Sequence, residues 1–267
     1  MRIGLIGCGA IGTVIARNIA EKRIKAELKC VYDMDKKKAE EFAGKFHTQY
    51  MEFDELLKQE LDLVLEAASQ EAARTLIPKA LKAKKNVMIM STGALVDDKL
   101  LQEIRGLAEK NSLKVYLPSG AIAGLDGIKS ARDEIERVMI KTTKPPKSLE
   151  GAPFFEKHPM NLSEIKKPTV VYEGSAEEAV KLFPSNINVA ASLSLAGIGP
   201  KRTRVQIIAD PNIKSNIHEI TAEGRFGVLK VRTENVPSPD NPKTSYLAAL
   251  SAVATLKKIT ESIQIGT

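Results

Sequence analysis

The chain is poor in the residues that most often announce chemistry. Its 267 residues include two cysteines, three histidines and no tryptophan. Two thiols cannot build a disulfide framework. No Cys/His grouping has the spacing of a zinc site, so no metal is expected. Aromatic residues make up 4% of the chain, too few for a base-stacking surface, and nucleic acid is not an expected partner. No apolar run approaches the ~20 residues that span a bilayer. The start, MRIGLIGCGAIG, has one basic residue and then a glycine-punctuated strand, unlike a signal peptide. A cytoplasmic protein with no membrane contact is therefore expected.

What is present is the composition of a folded domain or two, with 43% hydrophobic and 27% charged residues. The net charge of +7 comes from lysines scattered along the chain. The one short block, DKKKAEE, sits beside acids. A mildly positive field of this kind draws in a small anion. The richness in Lys and Glu with little Gln also fits a heat-adapted protein.

Hydrophobic patterning alternates strand and helix through residue 119. Strands are predicted at 2–6, 27–33, 61–68, 86–92 and 112–119. Helices are predicted at about 11–21, 36–46, 53–59, 70–85 (with a kink or break at Pro78) and 97–111. This order builds an α/β, doubly wound parallel sheet with right-handed crossovers. The pattern then changes. Strands are predicted at 137–144, 169–175, 203–210, 216–224 and 227–235, the last two as an antiparallel hairpin. Helices are predicted over 175–184, behind a Ser175 cap, and over 188–199, with a long terminal helix over 241–263. Residues 145–168 and 236–243 read as loops. The expected organisation is a dinucleotide-binding domain over 1–120 and an α+β domain over 121–240 with an open, mainly antiparallel sheet. The helix of 241–267 packs back on the first domain or at a dimer interface.

The first specific motif is Gly7-x-Gly9-x-x-Gly12, directly after a strand and opening a helix. Gly7 permits the tight turn, Gly9 lets the backbone approach a pyrophosphate, and Gly12 lets helix and strand pack closely. The backbone of Gly7, Gly9, Ala10, Ile11 and Gly12 then faces the phosphates, at the positive end of the helix. Asp33 ends the second strand, 21 residues after Gly12, where a Rossmann sheet places the acid that binds the adenosine ribose. A carboxylate there repels a 2′-phosphate, so NAD is expected first and NADP tolerated. Lys36, Lys37 and Lys38 have two readings: they hold a 2′-phosphate or are solvated.

A nicotinamide dehydrogenase needs a group that manages the proton while hydride moves. Cys8 lies in the phosphate turn and Cys30 in a buried strand, so neither serves as a nucleophile. His47 lies on the cofactor domain and His158 in a Pro-rich loop. His218, on a strand of the second domain, remains. On its own such a histidine is more commonly structural than catalytic.

At this point the chain resembles the L-aspartate dehydrogenase family, of the type that feeds NAD biosynthesis. The resemblance is carried by IGLIGCGAIG (3–12), EAASQEA (66–72), STGAL (91–95), PSGAIAGLDG (118–127), EGSAEEAVKLFPSNINVAASLSLAG (173–197), NIHEITAEGRFG (216–227) and NPKTSYLAALS (241–251). It implies NAD(P)-dependent oxidative deamination of L-aspartate to iminosuccinate, which hydrolyses to oxaloacetate and ammonia or passes to quinolinate synthase. It also implies a homodimer, His218 as the active-site residue, and Ala121 and Asn188 as cofactor contacts. Ala123 stands where the family usually has glycine. A histidine titrating near neutrality could relay the proton of the amine or activate the water that hydrolyses the imine. Two substrate carboxylates call for cations, and Lys201, Arg202 and Lys243 are candidates. Lys243 and Thr244 rank first because they lie in NPKTS, although Asn241 as cap and Pro242 at the first helical position would explain half of that motif. Two other readings remain. One is a related oxidoreductase, such as a dihydrodipicolinate reductase (which typically shows a His-His pair, absent here) or a homoserine dehydrogenase. The other is an NAD-binding sensor without turnover.

Overall fold

The computed structural model describes residues 1–184, 187–239 and 241–266, the side chains of residues 241–243 aside. The chain divides into two compact units, Met1–Pro118 with Ala249–Ile265, and Ser119–Ala248 with Gly266.

In the first unit strand and helix alternate. The order is β1 (Arg2–Ile6), α1 (Ala10–Ala20), β2 (Glu27–Tyr32), α2 (Lys36–Phe46), β3 (Gln49–Tyr50), α3 (Phe53–Lys58), β4 (Leu63–Glu66), α4 (Gln70–Lys82), β5 (Asn86–Ile89), α5 (Asp98–Lys110) and β6 (Val115–Tyr116). All six strands are parallel, in the order β3-β2-β1-β4-β5-β6. Helices on both faces explain why β1, β4 and β5 are nearly continuous apolar runs. Ile3, Leu5, Val64, Leu65, Val87 and Met88 are fully buried. The strand order reverses between β1 and β4, and that reversal leaves a crevice beyond the carboxyl ends of the strands. The helix α4 passes through Pro78 without ending, so of the expected kink or break the break does not occur. Pro78 is itself buried, between the fully buried Ile77 and Ala80, so packing compensates for the missing backbone bond.

The second unit contains α6 (Leu125–Ser130), β7 (Ile135–Lys144), α7 (Phe154–Lys157), β8 (Thr169–Ser175), α8 (Ala176–Leu182), α9 (Asn188–Ala196), β9 (Thr203–Ala209), β10 (Asn216–Gly224), β11 (Gly227–Asn235), β12 (Pro237–Ser238) and β13 (Asn241–Ser245). Its five-stranded sheet has the order β11-β10-β7-β9-β8, antiparallel except for the β7–β9 pair. Ser175 caps α8 in a full capping box with Glu178. One sheet face is buried. Val138 and Ile140 on β7, Ile220 and Ala222 on β10, and Val205 and Ile207 on β9 alternate inward, and α8 and α9 pack against β9.

The expected terminal helix of 241–263 is shorter at both ends. Residues 241–245 form β13, paired with β12, and α10 runs Tyr246–Thr260. Asn241 and Pro242 are thus not a helix start. In a two-stranded ribbon both strands are edges, where a proline without an N–H is tolerated.

Candidate active site

The phosphate turn has the geometry that a dinucleotide requires. A Cβ on Gly12 would lie 2.3 Å from the Gly7 carbonyl oxygen, and Gly7 has φ +101° with its own Cβ position 2.6 Å from the Ala67 oxygen. Neither position admits a side chain. At Gly9 a Cβ would meet nothing within 4 Å, so the backbone is open on the side a pyrophosphate would occupy. Gly9 caps α1 without a side-chain bond, and the first turn holds no acid. Its amides therefore suit an anion. Asp33 follows β2 and accepts from the Cys8 amide (2.8 Å), the Asp35 amide (3.1 Å) and Lys38 Nζ (3.2 Å). Burial pushes its carboxyl up, but the Cys8 and Asp35 amides and then Lys38 outweigh it and hold it below the usual range. These residues fit a dinucleotide. Burial, with Asp33 nearby, raises the Cys8 thiol to about 12, and burial raises Cys30 to about 11, so neither is a thiolate.

The loops after β4 and β5 are joined by one side chain. Glu66, fully buried, accepts through Oε1 from the amides of Ala68 (2.8 Å) and Ser69 (3.0 Å) and from Ser91 Oγ (2.8 Å). Its Oε2 accepts from the Ser91 amide (3.0 Å). Burial pushes this carboxyl upward, while the bonds from Ser91, Ala68 and Ser69 favour the ionised form. Three of these four groups are backbone amides, which only donate, whereas the Ser91 hydroxyl can also accept from a protonated carboxyl.

In the second unit the buried face of the sheet turns polar at one end. Across the sheet, Val138, Ala222 and Leu229 form an apolar row, as do Ile140, Ile220 and Val231. The next row is Thr142, His218 and Thr233. One step further, past the Thr143–Ile217 pair, lie Lys144 on β7, Asn216 on β10 and its partner Asn235 on β11. His218 is only 3% exposed and Lys144 6%. The His218 Nδ1 lies 3.0 Å from Thr142 Oγ1, which fixes the ring. When Nδ1 carries the proton it donates to that hydroxyl, and Nε2 is the basic nitrogen. Burial, and then the charge of Lys144, lowers the imidazole to about 3. Burial lowers Lys144 to about 8. The expectation of a histidine titrating near neutrality is therefore corrected. In the free protein His218 is a neutral imidazole, because water is excluded and a cation sits beside it.

The other expected residues fall as follows. Ala121 is buried, and its carbonyl accepts from Thr233 Oγ1 (3.1 Å) and Asn235 Nδ2 (3.0 Å), so the SGAIAG loop is pinned to the strand next to His218. Asn188 opens α9 but is not its cap, which is Ile187. Thr244 is half-buried on β13, and Asn216 Nδ2 donates to Ser245 Oγ (3.1 Å), which places that strand beside the start of β10. The side chain of Lys243 lies outside the described residues. Lys201 and Arg202 are exposed on a turn, away from the polar rows. His47 is the left-handed C-cap of α2, and His158 stacks on Phe154 with centroids 4.5 Å apart. Sequence reasoning missed Glu66, Thr142, Lys144, Thr233 and Asn235. A signal existed for two of them: Thr142 and Lys144 continue the inward alternation of Val138 and Ile140.

Comparison with known proteins assigns these two units. Residues 126–259 match the family model described as aspartate dehydrogenase, C-terminal, and residues 7–118 match homoserine dehydrogenase, NAD binding domain. The L-aspartate dehydrogenase of Methanosarcina acetivorans is 51% identical, with all of both chains covered. That of Nitrosopumilus maritimus is 50% identical over all of this chain and 99% of its own. The crystal structure of aspartate dehydrogenase from Thermotoga maritima superposes with a TM-score of 0.78 at 30% identity, covering 100% of this chain and 99% of that one. A scyllo-inositol dehydrogenase from Lactobacillus casei shares the fold alone, at 17% identity and a TM-score of 0.57 over 96% and 86% of the two chains. With full-length relatives at about half identity and the C-terminal model matched across the unit that holds His218, the chain belongs to the aspartate dehydrogenase family.

Proposed function

We propose that the protein is an L-aspartate dehydrogenase that oxidatively deaminates L-aspartate to iminosuccinate, with His218 as its proton-handling residue. The observation that carries the reading is a neutral imidazole, buried beside a cation and oriented through Nδ1 by Thr142, in a chain of this family. The phosphate turn from Gly7 to Gly12 and Asp33 would hold the nicotinamide dinucleotide, with Ala121 and Asn188 as further contacts. The chemistry this cofactor supplies when bound is acceptance of a hydride. The residues manage the proton. Hydride leaves the substrate Cα only when the amine is uncharged, so Nε2 of His218 takes a proton from the substrate ammonium. An imidazole at about 3 is a weak base in the free protein, and a substrate with two carboxylates raises it on binding. The resulting imidazolium is stabilised by those carboxylates and returns the proton to solvent. The same nitrogen then activates the water that hydrolyses the imine to oxaloacetate and ammonia.

Several finer expectations belong to the same proposal. NAD is preferred because Asp33 stands at the ribose position, and NADP is tolerated because Lys38 partly neutralises it. The protein works in the cytoplasm as a homodimer, and iminosuccinate that is not hydrolysed on it passes to quinolinate synthase. Among the described residues no helix is long and apolar enough to cross a membrane.

The test is NADH formation at 340 nm from pH 7 to 10 with L-aspartate, D-aspartate, L-glutamate, L-alanine and L-homoserine. Turnover is expected with L-aspartate alone, and His218→Ala should lose ~10²–10⁴-fold in rate while keeping NAD affinity. Tight NAD binding with no turnover of any of the five would overturn the dehydrogenase reading in favour of a sensor.

A further inference from the structure

We infer that Lys144 is the cation that holds a carboxylate of the substrate, an assignment that rests on the L-aspartate reading above and adds a binding residue to it. Lys144 is the last residue of β7 and lies two positions past Thr142, so the two share a sheet face. Thr142 holds the ring of His218, and the row beyond it is Lys144, Asn216 and Asn235. Lys144 is therefore one row from the imidazole, close enough for its charge to act on that ring.

The chemistry of these two rows is one-sided. They contain an ammonium, an imidazole, two threonine hydroxyls and two carboxamides, and no carboxylate. Among the described residues, Asn235 Oδ1 in these rows and the nearby Ser238 Oγ are buried without a hydrogen-bond partner. Buried polar atoms in folded proteins are rarely left so, and an orphan amide oxygen is completed by a donor, which in this substrate is the amine rather than a carboxylate. The Lys144 side chain is buried, and an anion placed against an ammonium in a low dielectric is attracted more strongly than at the surface. A dicarboxylate has one anionic group for Lys144 and leaves the amine to His218. The surface cations Lys201 and Arg202 gain far less from such a partner, because water screens them.

Succinate has the same two carboxylates and no amine, so it binds without reacting. It would be titrated calorimetrically into the NAD-loaded wild type, Lys144→Met and Lys144→Arg. The Met variant should bind succinate ~10–100-fold more weakly, as expected for a lost charge-assisted hydrogen bond, with NAD affinity unchanged. The Arg variant should recover part of the affinity. In turnover, the Met variant should raise KM for L-aspartate more than it lowers kcat. Replacing a buried charge by a chain of similar length should leave Tm equal or higher. A lower Tm with succinate affinity intact would mark a structural lysine and overturn the assignment. So would an unchanged KM with kcat lost, which would make Lys144 a proton carrier. If neither variant folds, wild type labelled with [ε-¹³C]lysine provides the test. The resonance of the lysine titrating near 8 should move when succinate is added, and its failure to move overturns the assignment. A wild type that binds succinate through Lys144 but leaves L-aspartate unoxidised would instead refute the activity.

Discussion

Replacing Glu66 by glutamine tests whether one buried carboxylate joins two of the loops at the carboxyl edge of the parallel sheet. The carboxylate accepts four bonds, three at Oε1 and one at Oε2. Glutamine keeps one oxygen, so its better orientation leaves Oε1 in place and turns the NH2 group toward the Ser91 amide. That buried amide loses its acceptor, at about 1–3 kcal/mol. The three remaining bonds fall from charge-assisted to neutral strength, about 1 kcal/mol each. Removing a buried charge returns part of this, on the order of 2–3 kcal/mol. The net expectation is a loss of about 2–3 kcal/mol, or about 5–8 °C in Tm for a chain of this size. Urea unfolding and calorimetry at pH 7.5 would read it. NAD affinity should also fall, because Ala68, Ser69 and Ser91 flank the crevice where the dinucleotide binds. A Glu66→Gln variant within about 0.5 kcal/mol of wild type would refute the reasoning. It would mean either that Glu66 is already protonated in the folded protein or that the loops hold without it.

Two further predictions concern charge. His218 is lowered from 6.5 to about 3 in the folded protein. The unfolded chain therefore binds the extra proton between those values, and the stability contribution is complete above pH 6.5 and lost as pH falls toward 3. Going from pH 7 to pH 5 should cost the wild type ~2 kcal/mol more than His218→Gln, measured by urea unfolding; equal losses would show that the imidazole is not buried as described. At the adenosine end, Asp33→Asn should shift the ratio of NADP to NAD affinity by about tenfold toward NADP, as removing one charge beside a 2′-phosphate requires. Lys38→Ala should shift it the other way, and calorimetric titration with both dinucleotides would show whether either fails to do so.

Much of the architecture was legible in the chain. Continuous apolar strands alternating with amphipathic helices require a parallel sheet covered on both faces, and the Gly7–Gly12 turn followed by Asp33 falls where backbone sterics allow little else. The inward alternation of Val138 and Ile140, and of His218 and Ile220, was equally local. What local pattern could not supply was the outcome at residues 241–245. There Asn241 and Pro242 read as a helix start, but pairing with Pro237 and Ser238 made a strand. It could not reveal the partners of Glu66, since Ser91 is 25 residues away, nor the meeting of Thr142 with His218 across 76 residues. The sequence by itself determined periodicity, turn chemistry and the identity of the one histidine on a rigid strand of the second domain. Only the tertiary structure decided that histidine's charge state, because desolvation and the field of Lys144 depend on which strands lie side by side, in which register and under what cover.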